Sequence, residues 1–103
     1  MQFFITAYDA TDNGALDRRL AARDEHLKLT DKLFREGKHL YAAAILDDNE
    51  KMIGSVIISE FASRTELDEY LKIEPYVKQN VWEKIDIKTC KVGPMFMELY
   101  KKN

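Results

Sequence analysis

Cysteine, excess basic charge and long apolar runs are all scarce in this chain. Its 103 residues include one cysteine, Cys90, so an intrachain disulfide cannot form, and no second Cys or nearby His lies at the spacing of a metal site. We expect a reducing cytoplasm as its compartment. The 16 Lys and Arg are offset by 18 Asp and Glu, which gives a formal charge of -2. That balance lacks the basic excess that drives binding to phosphate backbones, so we expect no nucleic-acid partner.

Hydrophobic segments long enough for a membrane are missing as well. No apolar stretch approaches the roughly 20 residues that span a bilayer, and the apolar start of the chain soon meets Asp9 and Asp12. We therefore expect neither a signal peptide nor a membrane anchor. The sequence also has no P-loop, dinucleotide-binding fingerprint or zinc-ligand spacing. Nothing in it demands a cofactor or a metal.

What the chain does contain fits one folded domain over residues 1–103. A hydrophobic fraction of 46%, with 11% aromatic residues, is typical of a folded chain rather than a disordered one. We place the core of the domain in residues 2–92 and treat residues 93–103 as a C-terminal extension. A domain of this size leaves much apolar surface poorly covered, which favours self-association.

The hydrophobic pattern predicts four strands and two main helices. The predicted elements are a strand at 2–8, a helix at 15–36, strands of a hairpin at 39–46 and 52–61, a helix at 64–71, a helical turn at 75–79 and a strand at 83–92. The order β-α-β-β-α-β is that of the α+β ferredoxin-like sandwich, an antiparallel sheet with both helices on one face. The other face, also apolar, is most simply covered by a second copy in a symmetric dimer.

The long helix is the most strongly patterned element. Its end is predicted at Gly37, which can adopt the left-handed turn that closes many helices. Apolar residues at steps of four and seven predict a buried stripe along it. Leu16, Leu20, Leu27 and Phe34 recur at these steps, and Ala22, Leu29 and Leu33 lie beside them.

His26 is the first candidate for chemistry, because imidazole titrates near neutrality and can act as acid or base. It lies at the border of the predicted stripe, where a side chain can face a cleft between helix and sheet. Arg19, Arg23 and Thr30 share that border with it, at steps of four, three and four. The two arginines could hold an anionic group of a substrate or bond neighbouring carboxylates. The alternative is a surface histidine without a chemical role.

Two carboxylates and one hydroxyl stand at strand and helix ends. Asp9 ends the first strand, where it could join a site or simply serve the following loop. Glu74 precedes Pro75, which favours an extended backbone, so its carboxylate could cap the next turn or orient an imidazole. Ser55 could donate a hydrogen bond to a ligand, but no nucleophile elbow surrounds it.

Three further residue types favour structural roles. His39 opens a strand, and we expect it at a capping or solvated position. We expect Cys90 to be a small buried apolar residue rather than a reactive thiol. Most aromatic side chains are expected in the core, with one or two lining a pocket, and we assign Tyr76 to the pocket.

Several segments together resemble the YCII-related, or YciI-like, domain family. The matching stretches follow one another in the family's order over most of residues 2–92. Residues 93–103 of this chain have no clear counterpart in the family. The matching stretches are FITAYD at 4–9, RLAARDEHL at 19–27, EGK at 36–38, GSVIISEF at 54–61, EPYV at 74–77 and IDIK at 85–88.

The resemblance implies a dimeric α+β barrel, a cytoplasmic homodimer and a small-molecule cleft with a histidine and acidic centre. The family histidine falls on His26, its acidic residue after the first strand on Asp9, and its Gly-Ser on Ser55. Where relatives usually have Asp before Pro-Tyr-Val, this chain has Glu74.

Three departures from the family pattern affect the cleft and the C-terminus. Residues 42–44 read Ala-Ala-Ala where relatives commonly have Ala-Gly-Pro, which reshapes one cleft wall. Thr89 replaces a proline near the end of the last strand. Residues 93–103 are expected to add an edge strand or to reach across the dimer.

We derive two functional hypotheses from these residues and this resemblance. The first is a cofactor-independent lyase or isomerase with dehydrochlorinase-like proton transfer, as the resemblance implies. In it His26 is the base or acid, Glu74 or Asp9 fixes its tautomer, and the substrate, anionic or carbonyl-containing, is held by Arg23, Ser55 and Tyr76. The second is a non-catalytic dimeric protein that binds a small acidic metabolite.

Overall fold

Four strands form one antiparallel sheet in the order β2-β3-β1-β4. The computed structural model describes residues 1–100. Its elements are β1 (Gln2–Asp9), α1 (Ala15–Arg35), β2 (His39–Leu46), β3 (Met52–Glu60), α2 (Arg64–Ile73), α3 (Pro75–Lys78), β4 (Trp82–Cys90), α4 (Pro94–Met97) and a 3-10 turn, Glu98–Tyr100. The predicted β-α-β-β-α-β order is therefore confirmed, with α3 as the predicted helical turn.

One face of the sheet carries both main helices. Alternate residues of β1, Phe3 and Ile5 among them, are buried on this face and lie in one hydrophobic cluster with Leu33 of α1 and Leu67 of α2. Period-two alternation in the strands and a helical stripe opposite them produce such a layer. The α+β sandwich with its helices on one face is confirmed.

The opposite face of the sheet, here called the open face, carries neither of the two main helices, and Phe4 and Ile58 on it are partly exposed. Phe4 of β1 stands beside Ile58 of β3, and Tyr41 of β2 pairs with the same isoleucine. On the other side Phe4 pairs with Lys88 of the edge strand β4. The open face is thus apolar over three strands and charged along β4.

α1 buries a different stripe from the one the leucines predict. Leu16, Leu20, Leu27 and Phe34 are 38–56% exposed, so the expectation of burial is wrong for these four residues, whereas Ala22 and Leu33 of the same pattern are buried. The buried residues are Ala15, Arg19, Ala22 and Leu33. They follow one another at helical steps, about one residue away from the leucine stripe. Although α1 has 21 residues, no helix within residues 1–100 is long and apolar enough to cross a membrane.

Two glycines occupy positions where another residue would be unfavourable, Gly37 because of its backbone conformation and Gly54 because of a close approach. Gly37 has a φ of 75° and ends the turn after α1, as the sequence predicts. At Gly54 an added Cβ would lie 2.4 Å from the carbonyl oxygen of Ala7. β3 can therefore approach β1 closely at this point, which sets the position of the next residue, Ser55.

The C-terminal segment does not form an edge strand over its described part. Pro94–Met97 is helical and the 3-10 turn follows it, because Pro94 lacks the N–H that a strand ladder would use and suits the first turn of a helix. The Tyr100 hydroxyl donates to the carbonyl of Leu40 in β2. The edge-strand expectation is wrong for these residues, and its last part, 101–103, lies outside the described residues.

Candidate active site

His26 is bonded to a carboxylate that the fold buries completely. Its Nδ1 lies 2.6 Å from Oε1 of Glu74. The same carboxylate accepts the Tyr76 N–H at Oε1, at 3.0 Å, and the Tyr70 hydroxyl at Oε2, at 2.7 Å. An ionised carboxylate can only accept hydrogen bonds, so the imidazole proton is placed on Nδ1. Nε2 is then the nitrogen available to a bound molecule.

The sequence around Glu74 explains its position. Pro75 follows it, and the Glu74 backbone is extended, with φ of -68° and ψ of 120°. α2 therefore ends there and α3 begins, with the Glu74 side chain capping the new helix. Burial raises the pKa of Tyr70, and the adjacent Glu74 charge raises it further. The phenol keeps its proton and remains a donor to the carboxylate.

Aromatic rings fix the plane of the imidazole. The His26 ring stacks on the Tyr76 ring, with centroids 3.8 Å apart and an interplanar angle of 8°. Trp82 meets His26 edge to face at 6.0 Å. Such contacts restrict the rotation of the ring without using its nitrogens. The Glu74 bond and the Tyr76 stack together hold His26 in one orientation.

A second buried pair lies beside this one. One Arg19 nitrogen donates to both oxygens of Asp9, at 2.9 and 3.0 Å, and another donates to Ser55 Oγ at 3.3 Å. Trp82 Nε1 donates to the same Oγ, also at 3.3 Å. Burial raises the pKa of Asp9, and the Arg19 guanidinium opposes that rise. Since Asp9 is bonded to Arg19, Glu74 is the partner of His26.

A cleft of about 200 Å³ between α1 and the β2–β3 hairpin connects the two pairs. Four of the six predicted site residues line it: Arg23, His26, Ser55 and Tyr76. The other two, Asp9 and Glu74, are absent from its lining and bond Arg19 and His26 instead. The three alanines at 42–44 line one wall. Two wider depressions, of about 450 and 430 Å³, lie elsewhere and include neither His26 nor Arg23.

Three residues of this arrangement lie beyond the predicted site. Arg19 belongs to the predicted polar border of α1, but the spacing of residues along the helix does not show that Arg19 is buried against Asp9. Tyr70 and Trp82 were expected only in the core, and they also donate to Glu74 and Ser55. Aromatic residues with a polar atom often combine these roles. Within residues 1–100, no cluster of three His, Cys, Asp or Glu could hold a metal ion.

His39 is the residue for which the expectation is wrong. It is 2% exposed rather than solvated, and its Nδ1 lies 2.9 Å from Ser59 Oγ. Its ring meets the Tyr70 ring edge to face at 5.0 Å. Burial lowers the pKa of His39 from 6.5 to about 4, so the imidazole is neutral at pH 7. The bulge that follows His39 in β2 turns its side chain toward the core side of the sheet.

The sequence pattern of the YCII-related domain matches residues 1–91. The chain belongs to this family. It is 32% identical over 97 residues to the protein YciI of Escherichia coli O6:H1, covering 88% of this chain and 97% of that protein. An uncharacterized protein of Haemophilus influenzae is 30% identical over 97 residues, which again cover 88% of this chain and 97% of that protein.

Solved structures share the fold of this YCII-related domain. The 5-chloro-2-hydroxyhydroquinone dehydrochlorinase of Burkholderia phenoliruptrix AC1100, in complex with 2,5-dihydroxybenzoquinone, superposes with a TM-score of 0.77 at 24% identity, over 92% of this chain and 98% of that one. A dimeric ferredoxin-like protein of unknown function from Jannaschia sp. CCS1 superposes with a TM-score of 0.54 at 14% identity, over 88% of this chain and 98% of that one. The ferredoxin-like fold predicted for this domain is confirmed.

Proposed function

We propose that this YCII-related domain is a small-molecule enzyme of the lyase or isomerase type, in which His26 moves a proton at a carbon next to a carbonyl. The observation that carries the proposal is the 2.6 Å contact between His26 Nδ1 and Glu74. It leaves Nε2 as the base on the lining of the cleft, as in other sites where a buried carboxylate orients an imidazole.

The proposed reaction begins when Nε2 takes the proton from carbon. The electron pair of that C–H bond forms a C=C bond, and the carbonyl oxygen becomes an enolate oxygen. In an elimination the enolate re-forms its carbonyl, a C=C bond forms to the next carbon, the leaving group departs from that carbon with its electron pair, and the His26 imidazolium gives its proton to the leaving group or to water. In an isomerisation the His26 imidazolium instead returns the proton to another carbon of the enolate system. No other reactant is needed for either outcome.

In the proposed reaction, Ser55 and Arg23 stabilise the enolate oxygen. Ser55 Oγ accepts hydrogen bonds from Arg19 and Trp82, so its own O–H is directed to other acceptors, and no such acceptor is found within residues 1–100. Preorganised donors of this kind lower the energy of developing negative charge. Burial raises the pKa of Tyr76, which keeps its hydroxyl protonated as a further donor.

The dehydrochlorinase that shares this fold supports the reaction class. Its bound molecule, 2,5-dihydroxybenzoquinone, is a ring that carries carbonyl and hydroxyl groups. We infer a carbonyl-containing substrate for this chain from that molecule and from the polar groups of the cleft.

Deuterium exchange tests the proposal without knowledge of the substrate. Incubation with pyruvate and phenylpyruvate in D2O should replace hydrogen at the carbon next to the carbonyl faster than in buffer, as followed by proton NMR. His26→Ala should lower the enzyme-dependent rate by about 10²–10⁴-fold. Glu74→Gln should also lower it, because an amide can donate to Nδ1 and favour the wrong tautomer. Full exchange by the His26→Ala variant would overturn the assignment of the base.

One observation favours the non-catalytic alternative. Arg23 forms no ion pair within residues 1–100, whereas Arg18, Arg19, Arg35 and Arg64 each do. A free guanidinium on a cleft lining suits the capture of an anionic metabolite. A binding protein would show saturable stabilisation by such an anion with no exchange and no product.

We also propose that the chain forms a homodimer through its open sheet face and resides in the cytoplasm. The apolar surface formed by Phe4, Tyr41 and Ile58 supports the first proposal, together with the dimeric ferredoxin-like protein of similar fold. The free thiol of Cys90 supports the second, since a reducing compartment preserves it.

A further inference from the structure

The cleft continues past His26 into a second depression between α1 and the edge strand β2. This depression, here called the distal groove, has a volume of about 290 Å³. It shares Leu27, Thr30 and Ala42 with the cleft that contains His26. The cleft alone, at about 200 Å³, is smaller than the roughly 300–1,000 Å³ of most ligand sites, and the two together fall within that range.

Exposed apolar side chains of α1 form one wall of the groove. Leu27 and Phe34 are 43% and 56% exposed. Asp31 is the one charged residue of the lining, and its carboxylate is bonded to Arg35 at 2.9 Å. The groove therefore offers aromatic and aliphatic contacts without a free charge, which suits a neutral apolar group.

Two polar side chains on the groove lining lack partners. Thr30 Oγ1 and His39 Nε2 are buried atoms without a hydrogen-bond partner within residues 1–100. Both residues line the groove, and the Nδ1 of His39 is occupied by Ser59. Buried polar atoms in native proteins are nearly always paired. Thr30 Oγ1 and His39 Nε2 are therefore the two atoms of the groove lining that could form hydrogen bonds to a bound molecule.

The two ends of the combined site differ in polarity. Arg23 and Ser55 lie at the His26 end and favour a carboxylate or carbonyl oxygen, whereas the distal groove is uncharged. A molecule that spans both must carry a polar head and an apolar body, with the reacting carbon near His26.

We propose that the distal groove binds an apolar ring of the substrate, and that Thr30 and His39 hydrogen-bond to a polar substituent on that ring. The substrate is then a carbonyl or 2-oxo acid compound with a hydroxyl-bearing aromatic arm. This inference rests on the proposed function, because His26 must act at the other end of the same molecule.

Three related probes separate the parts of the proposal: pyruvate, phenylpyruvate and 4-hydroxyphenylpyruvate. Their dissociation constants are measured on the full chain by calorimetry, and amide and imidazole NMR shifts locate each probe. We expect phenylpyruvate to bind about tenfold or more tightly than pyruvate, since the ring buries apolar area. The hydroxylated probe should bind more tightly still and shift the ¹⁵N resonance of His39 Nε2.

Substitutions in the groove should affect only the probes that reach it. Phe34→Ala should lower the affinity for phenylpyruvate by about three- to tenfold and leave the affinity for pyruvate unchanged. Thr30→Val removes the hydroxyl at similar volume and should abolish the advantage of 4-hydroxyphenylpyruvate. Leu20→Ala is the matched control, because Leu20 is equally exposed on α1 but absent from the groove lining. Leu20→Ala should leave the dissociation constants of all three probes unchanged.

Ala42→Val gives a second, independent variant at an exposed strand position. Ala42 lines both the cleft and the groove, so a larger side chain there narrows the passage between them, and the affinity should fall by a larger factor for phenylpyruvate than for pyruvate. Equal affinity of pyruvate and phenylpyruvate, with His26 shifts for both, would reject the groove and leave the proposed function intact. If no probe shifts His26, both the proposed function and this inference are rejected.

Discussion

At the scale of single residues, the site depends on which carboxylate meets which base. Glu74 is hydrogen-bonded to His26, and Asp9 is hydrogen-bonded to Arg19. His26 and Arg19 line the cleft, whereas the two carboxylates do not. Burying a charge costs much free energy unless it is paired and hydrogen-bonded. The two pairs are therefore specific, because exchanging partners would leave donors or acceptors unsatisfied in a buried region.

His39 predicts an acid-sensitive stability. Burial lowers the pKa of His39 to about 4, a Glu74 charge opposes this and a His26 charge adds to it. As the pH falls below 6.5 the unfolded chain takes up a proton that the folded chain accepts only near 4. The free energy of unfolding should thus fall by roughly 3 kcal/mol across that interval. Urea unfolding at several pH values measures it.

His39→Asn is the comparison for that measurement. Asparagine keeps a hydrogen-bonding side chain near Ser59 but does not titrate. Its curve of stability against pH should be flatter than that of the wild type between pH 6.5 and 4. Parallel curves for the two proteins would contradict the assignment to His39.

The sequence could identify site residues but not the pairs they form. His26 and Glu74 were both named as candidates from their residue types and positions, and Asp9 remained an equal alternative to Glu74. His26 and Glu74 are 48 positions apart in the sequence, and the packing of α1 against α3 brings them together. The burial of His39 follows from a bulge in β2, which has no marker in the sequence.

At the scale of elements, α1 shows where periodicity is informative and where it is not. Residues 15–36 were predicted as helix, and the helix is Ala15–Arg35. The predicted pattern included the buried Ala22 and Leu33 as well as four exposed residues, because two neighbouring stripes both fit the helical period. Arg19 takes a core position only because Asp9 and Ser55 satisfy it, and hydrophobicity alone cannot reveal such compensation.

The β2–β3 turn carries strain that a substitution can relieve. Glu50 has a φ of 62°, a conformation that costs most non-glycine residues about 1–2 kcal/mol. Glu50→Gly should raise the free energy of unfolding by about 0.5–1 kcal/mol after allowance for the added freedom of the unfolded chain. Chemical denaturation measures the difference. Glu50→Ala, which keeps a Cβ, should bring no such gain, and equal gains in both variants would refute the strain argument.

At the scale of the whole molecule, the open sheet face is the proposed dimer interface. We expect the wild-type chain to sediment at about twice its 12.0 kDa mass. Ile58→Asp places a charge at the centre of the apolar face and should yield monomers, because burying it unpaired is unfavourable. Analytical ultracentrifugation distinguishes the two states. Leu20→Asp, an equal change on the helix side, should remain dimeric, and a monomeric wild type would refute this interface.

Alternation along β3 has a consequence for how this molecule can change during evolution. Ser55, Ile57 and Ser59 face the helices, whereas Val56 and Ile58 face the open side. A point substitution in β3 alters one function at a time, so ligand preference and partner preference can drift separately. A single-residue insertion or deletion within the strand would exchange both sets at once. Such length changes should be confined to the loops, while β3 keeps a constant length among descendants of this chain.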